Sequence, residues 1–295
     1  MAVLSKGTLF DPLLVTDLIT KVQGRSSLAA LSAQTPIPFN GMKQFTFNLD
    51  KEIDIVAENG AKSEGGLSMD SVTIIPVKFE YGGRVSDEFQ YAAEEEKLSI
   101  LQSFNDGFAK KVARGLDLAA FHGVNPRTAA ASTVLGANHF DSKVTTTVTY
   151  AEATADDNLE AAITAVRAAN GVVSGMALST AFGAALGKIK VNGVAQYPEF
   201  KFGGNPGDFH GMGCDVNSTI YEMSANKDYA IVGDFRDGFK WGYSKEIPME
   251  IIPYGDPDNS GKDLKGSNQV YIRAEVFLGW GVLLPSSFAR IVAGT

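Results

Sequence analysis

Few side chains in this sequence are of the types that commonly catalyse reactions or bind metals. The 295 residues include three histidines, His122, His139 and His210, and one cysteine, Cys214. No histidine has a metal-ligand spacing to another histidine, a cysteine or a carboxylate. Cys214 lies between Gly213 and Asp215, without a thiol-protease or redox signature. We therefore predict no catalytic residue, no metal and no cofactor.

The best candidate for a metal site is the turn DPDNSG, which begins at Asp256. Its alternating oxygen-bearing residues followed by glycine resemble the first half of a calcium-binding loop. The twelfth position of such a loop requires a bidentate glutamate, but it falls on Ser267, and Lys262 and Lys265 add positive charge. We therefore favour a solvated turn between strands.

Two further polar stretches have ordinary structural interpretations. Asp234 and Arg236, in VGDFRDGF, fit either an ion-pair network or a turn. The glycine-rich run at 203–213 lacks the spacing of a phosphate-binding loop and is not followed by a helix pattern, so we interpret it as a loop. His122 comes at the end of a predicted helix, where an imidazolium ion would cap the helix dipole.

The elements that must position these side chains are organised around a long predicted helix over residues 86–123. Ser86 is expected to cap its start and Gly123 to stop it. The pattern indicates an amphipathic helix, because apolar residues recur every four positions at Ile100, Phe104, Phe108, Val112, Leu116 and Ala120. Taken alone, this helix favours the core of an α/β enzyme.

A long β-hairpin is predicted ahead of that helix. Residues 44–55 alternate apolar and polar, and residues 75–81 alternate again, with the glycine-rich stretch AENGAKSEGGLSMD between them. A two-stranded ribbon with one apolar face is marginal by itself in water. The ribbon must therefore lie on its own domain or on a neighbouring subunit.

The rest of the chain divides into an N-terminal arm and a mixed second unit. The arm, residues 1–39, includes a short helix with Leu14 and Leu18 on one face and has too little apolar content to form its own core. The second unit begins with a capping box at Thr154 and Asp157. The predicted elements that follow are a helix carrying Leu159, Ile163 and Val166, a strand at 176–178, a helix capped by Ser179 or Thr180, and strands at 229–232, 239–243, 247–251 and 270–282.

The bulk composition excludes several classes of protein. The formal net charge of −8 opposes a generic nucleic-acid binder, since affinity for phosphate comes mainly from Lys and Arg. One cysteine excludes a disulfide within the chain. No signal peptide or run of about 18 apolar residues is present, so we expect a soluble protein without membrane contact.

The order of these elements, together with the C-terminal block, resembles the major capsid proteins of tailed bacteriophages, the Hong Kong 97-type family. An arm, a long hairpin, a long helix ending in HGVNP, a mixed domain and a strand-rich return follow one another. The block AIVGDFRDGFKWGYSKEIPMEIIPYGDPDNSGKDLKGSNQVYIRAEVFLGWGVLLPSSFARI resembles the usual ending of the family. It has a VGDF strand, an aromatic strand, a GDP-type turn and a long strand leading to GWGVL.

The resemblance implies an α+β Hong Kong 97-type capsid fold with four parts. These are an N-terminal arm (1–39), an extended β-hairpin loop (40–85), a peripheral domain with the spine helix (86–150, joined by part of 268–295) and a mixed axial domain (151–267). It implies a shell protein that self-assembles through hexamers and pentamers into an icosahedral head enclosing double-stranded DNA. The expected location is the virion, after assembly in the host cytoplasm, and DNA would be contacted only weakly and non-specifically.

The resemblance also implies partners and contact residues. Some members carry a scaffolding segment ahead of the arm, whereas here the arm starts almost at Met1, so we expect a separate scaffolding protein or a trimmed chain, and a portal. The type member of the family joins a loop lysine covalently to a neighbour, but Lys62 lies in a polar loop and we do not transfer that chemistry to it. The expected inter-subunit contacts are Leu14, Leu18, Glu58, Lys62, Glu64, Met69, Asp234 and Arg236.

Two alternatives remain open at the level of sequence. An encapsulin-like nanocompartment shell protein would share the same fold. An oligomeric α/β enzyme with an oligomerisation hairpin belongs to a different class, and the scarcity of histidine and cysteine argues against it.

Overall fold

A computed structural model describes residues 25–49, 51–88, 94–225, 227–245 and 249–294. The α-helices of this part are α1 Ser27–Leu31, α2 Glu94–His122, α3 Phe140–Lys143, α4 Ala155–Ala168 and α5 Thr180–Lys188. The strands are β1 Met42–Leu49, β2 Leu67–Ile74, β3 Val77–Ser86, β4 Thr147–Thr149, β5 Gly175–Leu178, β6 Lys190–Val191, β7 Val194–Ala195, β8 Asp208–Phe209, β9 Met212–Val216, β10 Asp228–Gly233, β11 Phe239–Lys245, β12 Met249–Ile252, β13 Gln269–Val282 and β14 Phe288–Val292.

The central strand of the first sheet is β13. It pairs antiparallel with β3 along one edge and, along its other edge, with β12 and then β11. Its apolar residues alternate as the sequence predicts, and those from Val270 to Val282 on the predicted face are buried. Fourteen residues of one strand therefore join three others into a single sheet.

Helix α2 packs across this sheet by its apolar stripe. Phe108, Val112 and Leu116 are buried in one cluster with Val276 and Trp280 of β13. Burial fades toward the start of the helix, where Ile100 is 42% exposed. The 29-residue helix is roughly 43 Å long at about 1.5 Å per residue, and its second half is the part anchored in the core.

The second sheet has six strands in the order β4-β14-β10-β5-β9-β8. Alternate residues of its strands belong to different clusters. Met176 and Leu178 of β5 pack with α4 and α5, whereas Ala177 joins the cluster of α2. The mixed sheet is thus covered by helices on both faces. The period-two burial matches the strand geometry.

Of the two predicted ends of the long helix, the C-terminal one is confirmed and the N-terminal one is wrong. Gly123 follows the helix with a left-handed φ of 67°, as predicted. The predicted cap at Ser86 is wrong, because Ser86 is the last residue of β3 and pairs with Gln269. Strand β3 therefore takes up the first residue of the range predicted for the helix.

The predicted partner of the first hairpin strand is also wrong. Strand β1 pairs antiparallel with β2, residues 67–74, and no strand is assigned at 51–66. The alternating stretch 75–81 instead lies in or next to β3, on the edge of β13. Pro76, which lacks an N–H group, separates β2 from β3 and marks the change of partner.

Smaller predictions in the second unit have mixed outcomes. Ser179 does cap α5, accepting a hydrogen bond from the Phe182 N–H at 3.1 Å. Thr154 precedes α4 but its side chain makes no cap hydrogen bond, so the predicted capping box is wrong. The glycine-rich run at 203–213, predicted as a loop, includes β8 and the first residues of β9, and β14 is a further strand that the sequence did not predict. Within the described residues, no helix is both long and apolar enough to cross a membrane.

Candidate functional site

One face of the β1–β2 hairpin is apolar and uncovered. In the antiparallel register Phe47 lies opposite Met69, and Phe45 and Leu67 lie on the same face. Their exposed fractions are 48% for Phe45, 65% for Phe47, 66% for Leu67 and 57% for Met69. We call these four residues the hairpin face. No described part of the chain buries it, and a contiguous exposed apolar patch is typical of an interaction surface.

The base of the hairpin is fixed to the rest of the protein by its other face. Ile74 is fully buried and clusters with Ile37, Leu283, Met42 and Val72. It lies directly over Gly281 of β13, where a Cβ atom would come within 2.9 Å of the Ile74 side chain. The hairpin therefore projects from a packed base, so that the hairpin face has a defined orientation.

The loop between β1 and β2 carries the contact residues predicted from its polar sequence. Glu58, Lys62 and Glu64 are exposed, as is Met69 at the start of the hairpin. Ile53 and Ile55 in the same loop are 91% and 96% exposed. Within the loop, Lys51 Nζ donates a hydrogen bond to the Glu64 carbonyl oxygen at 3.1 Å.

The end of the N-terminal arm is held by its own domain. Leu14 and Leu18 lie outside the described residues, but Leu28 of α1 is fully buried in the α2 cluster. The subunit itself therefore buries this leucine of the arm, whereas the contacts expected at Leu14 and Leu18 remain predictions. The buried Asp117 of α2 explains the docking, because it accepts hydrogen bonds from the backbone and side chains of α1 and a neighbouring turn. The donors are Ser26 Oγ at 2.5 Å, Ser27 N at 3.0 Å, Leu28 N at 3.3 Å and Thr219 Oγ1 at 2.8 Å.

Asp234 and Arg236 form a turn rather than an ion pair in the described structure. The Asp234 carboxylate accepts hydrogen bonds from the backbone N–H groups of Arg236 and Asp237, both at 3.2 Å, and from Ser174 Oγ at 2.9 Å. Asp234 is 8% exposed, so its carboxylate is used within the subunit. Of the two predicted contact residues in this turn, Arg236 has the exposed side chain.

A buried charge cluster joins α2, α3 and the six-stranded sheet. His122 Nδ1 lies 3.0 Å from Asp141 Oδ2, and His122 Nε2 lies 2.9 Å from the Thr219 carbonyl oxygen. Arg290 of β14 forms ion pairs with Asp228 at 2.8 Å and with Asp141 at 3.0 Å. His122 is the basic residue in the last turn of α2, where an imidazolium ion is favoured by the helix dipole as predicted, and its two ring nitrogens also contact other elements.

The pKa values of this cluster shift with its burial and its charges. Burial disfavours the imidazolium ion, but the hydrogen bond to Asp141 and the nearby carboxylates outweigh it and raise the pKa of His122. Burial, followed by the neighbouring Asp141, raises the pKa of Asp228 to about 7. Burial would also raise the pKa of Asp141, but the hydrogen bond from His122 leads the effects that lower it.

His122, Asp141 and Asp228 are close enough to offer three ligand atoms to one metal ion. Arg290, however, already pairs with both carboxylates from inside the cluster. A metal ion would have to displace that guanidinium group and would leave its charge buried and unpaired, at high cost. The donor set therefore fits an internal ion-pair network better than a metal site.

The calcium-like turn at 256–261 is organised by an arginine. The Arg84 guanidinium group donates to Asp258 Oδ1 at 2.6 Å and Oδ2 at 2.9 Å, and to Asp256 Oδ1 at 2.8 Å. The hydrogen bond from Arg84 holds the pKa of Asp258 below its usual range. Ser260 Oγ and the Lys262 carbonyl oxygen accept from the same group. The predicted solvated turn is thus a turn built around a cation of its own chain.

Cys214 has no catalytic surroundings. It lies in β9 and is 2% exposed. Burial raises the pKa of its thiol to about 12, so the reactive thiolate form is disfavoured at neutral pH. These surroundings are typical of a buried structural cysteine.

Comparison with known proteins decides the family. The sequence model described as "Phage capsid family" matches residues 7–293. The chain belongs to the phage capsid family. It is therefore a structural protein of a phage shell and a component of the virion, and the family works by self-assembly. The resemblance drawn from element order and the C-terminal block is confirmed.

Solved structures agree with this assignment. The chain is 31% identical to a chain of Mycobacterium phage Ogopogo, with 92% of each chain covered and a TM-score of 0.76. It is 24% identical to a chain of Gordonia phage Cozz, with 92% of this chain and 87% of that chain covered and a TM-score of 0.74. A structure titled "Capsid of native GTA particle computed with C5 symmetry" shares the fold at 15% identity and a TM-score of 0.62, covering 91% of this chain and 90% of that chain. No curated protein sequence matches the chain.

Sequence reasoning missed the polar residues that hold this family member together. Asp117 looks like one charge on an exposed helix surface, yet it is fully buried. Asp141, Asp228 and Arg290 come from three separate stretches of the chain. The available signal is slight: Asp117 stands between the apolar neighbours Leu116 and Leu118 in the most apolar part of the helix.

Proposed function

We propose that the chain forms an icosahedral phage head, built of hexamers and pentamers, that encloses double-stranded DNA. The observation that carries the proposal is the hairpin face, whose four apolar side chains are uncovered within the subunit. Fully burying one large apolar side chain contributes about 1.5–3 kcal/mol. Burial of the hairpin face on a neighbouring copy would therefore supply several kcal/mol to each contact.

The anchored base of the hairpin supports a specific mode of association. Ile74 and Gly281 fix where the ribbon leaves the subunit. We propose that the hairpin face meets a different surface of a neighbouring copy. A contact between two different surfaces of identical chains is heterologous and forms a ring when the rotation closes. Rings of five and six copies then serve as the units of a closed shell.

The division into parts also remains a proposal, with two adjustments. We keep the arm at 1–39, the extended loop at 40–85, the peripheral domain at 86–150 with part of 268–295, and the axial domain at 151–267. Strands β11 and β12 are better assigned to the peripheral domain, because they pair with β13. Strand β14 pairs with β10 and is better assigned to the axial domain.

The remaining proposals concern the partners of the chain, the compartment in which it assembles and the absence of catalytic activity. We propose assembly in the host cytoplasm with a separate scaffolding protein and a portal, and no catalytic activity. The net charge of −8 supports only weak, non-specific contact with packaged DNA, because a wall rich in acidic groups does not bind phosphate strongly. The phage family favours this function over a nanocompartment shell or an enzyme.

A charged substitution on the hairpin face tests the proposal. We expect Phe47→Glu to abolish particle formation, because burying the hairpin face would then bury an unpaired carboxylate. The folded subunit should be unchanged, since Phe47 is 65% exposed there. Electron microscopy and sedimentation measure assembly, and circular dichroism with thermal unfolding measures folding.

Ser68→Glu is the matched control, because Ser68 is exposed on the opposite face of the same ribbon. It should assemble normally. A stable monomer of the unmodified chain under all assembly conditions, with its scaffold present, would contradict the proposed function. Normal particles from Phe47→Glu would show that the hairpin face is not an assembly surface.

A further inference from the structure

Phe202 is an aromatic side chain presented to solvent in an unfavourable backbone conformation. It is fully exposed, with a φ of 59° and a ψ of 27°. A bulky residue rarely adopts a positive φ, and such residues persist where the surrounding structure enforces them and often mark functional sites. An exposed phenyl group gains nothing from this position within the isolated subunit.

The segment beneath Phe202 is rigidly held. Phe200, two residues earlier, is 2% exposed and packs edge-on against Phe209 with ring centroids 5.2 Å apart. Helix α5 presses against the same segment at Gly187, where a Cβ atom would come within 3.0 Å of the Phe200 carbonyl oxygen. The backbone beside Phe202 is therefore anchored and presents Phe202 as a knob, with Lys201 and Lys190 beside it around a shallow recess.

A cavity of about 420 Å³ lies elsewhere in the same domain, between α4 and the β8–β9 hairpin. Its walls include Leu159, Ile163, Leu186, Phe209 and Met212. A dry apolar cavity of about 150 Å³ is enough to bind benzene, so this volume accommodates a phenyl ring. The cavity is thus large enough for an aromatic knob and offers it apolar side chains, alongside the polar residues that share its lining.

The charges around the knob and the cavity are complementary. Asp156 and Glu160 line the cavity at the first two turns of α4, with Arg167 further along the same helix. Lys201 precedes Phe202 directly in the chain. Facing opposite charges across an interface steer association and fix its register.

The knob and the cavity lie on different sides of α5. Leu186 lines the cavity, whereas Ala184 and Lys188 line the recess beside Phe202. At about 100° per residue, Leu186 is roughly 160° around the helix from both of them. The subunit cannot place its own Phe202 in its own cavity, so the two surfaces suit a head-to-tail contact between copies.

We propose that Phe202 of one copy inserts into the α4–β8–β9 cavity of a neighbouring copy, with Lys201 facing Glu160. This inference rests on the proposed shell function and names a second contact of the same ring, separate from the hairpin face. The contact is heterologous, so it repeats around a ring of copies in the way that a capsomer requires.

Disulfide cross-linking tests the contact directly. Phe202→Cys and Glu160→Cys are introduced together, and assembled particles are oxidised and separated without reductant. We expect a ladder of covalent oligomers that reaches closed rings and collapses on reduction. Each single variant, and Phe202→Cys combined with Val134→Cys on an exposed loop, should give no ladder. The native Cys214 does not compete, because it is buried.

A charge exchange tests the same contact without cysteines. Lys201→Glu and Glu160→Lys should each raise the protein concentration needed for assembly, on the order of tenfold, because like charges would then face each other. The double variant should restore the threshold to within about twofold, as expected for residues that couple directly. Folding, followed by thermal unfolding, should be unchanged, since no described ion pair within the subunit involves either residue.

The outcomes separate this inference from the function on which it rests. Particles that form without a ladder overturn the Phe202 contact and leave the shell function intact. If the cysteine pair prevents assembly, the charge exchange decides: the contact is overturned if the Lys201→Glu, Glu160→Lys double variant does not restore the assembly threshold. A single cross-linked band to a different virion protein would also overturn it. Failure of the unmodified chain to form particles contradicts the shell function itself.

Discussion

The β1–β2 hairpin and the β3–β13 pair are both antiparallel, and both place apolar residues on one face. In β3–β13 that face is closed by the chain itself: Phe79 of β3 packs on α2 and Trp280 of β13 is 1% exposed. In β1–β2 the corresponding face, with Phe47 and Met69, is open. The two ribbons are joined by only two residues, Ile75 and Pro76.

The difference shows that an alternating pattern predicts which face of a strand is buried. It does not predict whether that face is buried within the same subunit or by a neighbouring subunit. A strand needs a surface for its apolar side, and that surface is intramolecular for β3 and absent from the described subunit for β1. Loss of the first surface should therefore be measured in folding, and loss of the second in assembly. This distinction is tested by comparing substitutions of residues buried within the subunit with substitutions of matched residues at its exposed surface.

The largest contrast is expected between Trp280 and Phe47. Trp280→Ala should destabilise the folded subunit by about 3–5 kcal/mol, because it opens a cavity in the core and removes a hydrogen bond from the indole N–H. That bond reaches the Asn138 carbonyl oxygen at 2.9 Å. Phe47→Ala should change folding by less than about 0.5 kcal/mol. Denaturant unfolding of the unassembled chain measures both, and equal losses would remove the distinction.

A comparable contrast among charges involves Arg290 and Arg114. Arg290→Met should cost about 3 kcal/mol or more, because Asp141 and Asp228 would remain buried without their partner. Arg114 pairs with Glu222 at the surface, where both side chains are more than a third exposed. Arg114→Met should therefore cost less than about 1 kcal/mol. A small effect of Arg290→Met in denaturant unfolding would show that the buried cluster contributes little.

The smallest expected effect is a pH dependence confined to the interior. Because the folded state raises the pKa of His122, its imidazolium ion stabilises the fold fully below the unfolded pKa of about 6.5, and this contribution is lost as pH rises through the folded pKa. Asp228, with its pKa raised to about 7, acts in the same direction from about pH 4 upward, whereas Asp141 acts in the opposite direction at acid pH.

His122→Gln isolates the histidine contribution, since glutamine does not titrate. The free energy of unfolding of the unmodified chain should fall more steeply above pH 6.5 than that of the variant, by at most about 1.4 kcal/mol per pH unit for one proton. Denaturant unfolding at several pH values measures the two slopes. Identical slopes would show that His122 does not change its protonation on folding in this range.

Much of the fold follows from local pattern in the sequence. The long strand β13 and the stripe of α2 are predicted because their apolar residues recur without interruption over many turns or pairs. The partner of β1 is mispredicted because residues 75–81 alternate more clearly than Leu67–Ile74, whose last positions combine Val72, Thr73 and Ile74. Alternation gives the face of a strand but carries no information on its pairing partner.

The polar interior could not be predicted in the same way. Asp228 and Arg290 are 62 residues apart in the chain and meet only because β10 and β14 pair. Their burial depends on three-dimensional packing, and a single sequence offers no periodic signal for it. Phe202 is equally hidden, because its exposure and backbone conformation depend on how Phe200 and Gly187 meet.

Arg84 gives the turn at 256–261 a property that a calcium-binding loop does not have. A calcium loop takes its shape only when the surroundings supply the ion. Here the positive charge is part of the polypeptide and reaches Asp256 and Asp258 from the strand that directly follows the hairpin. The chain itself thus supplies the cation at the centre of the turn, so the turn does not require a bound divalent cation to neutralise Asp256 and Asp258.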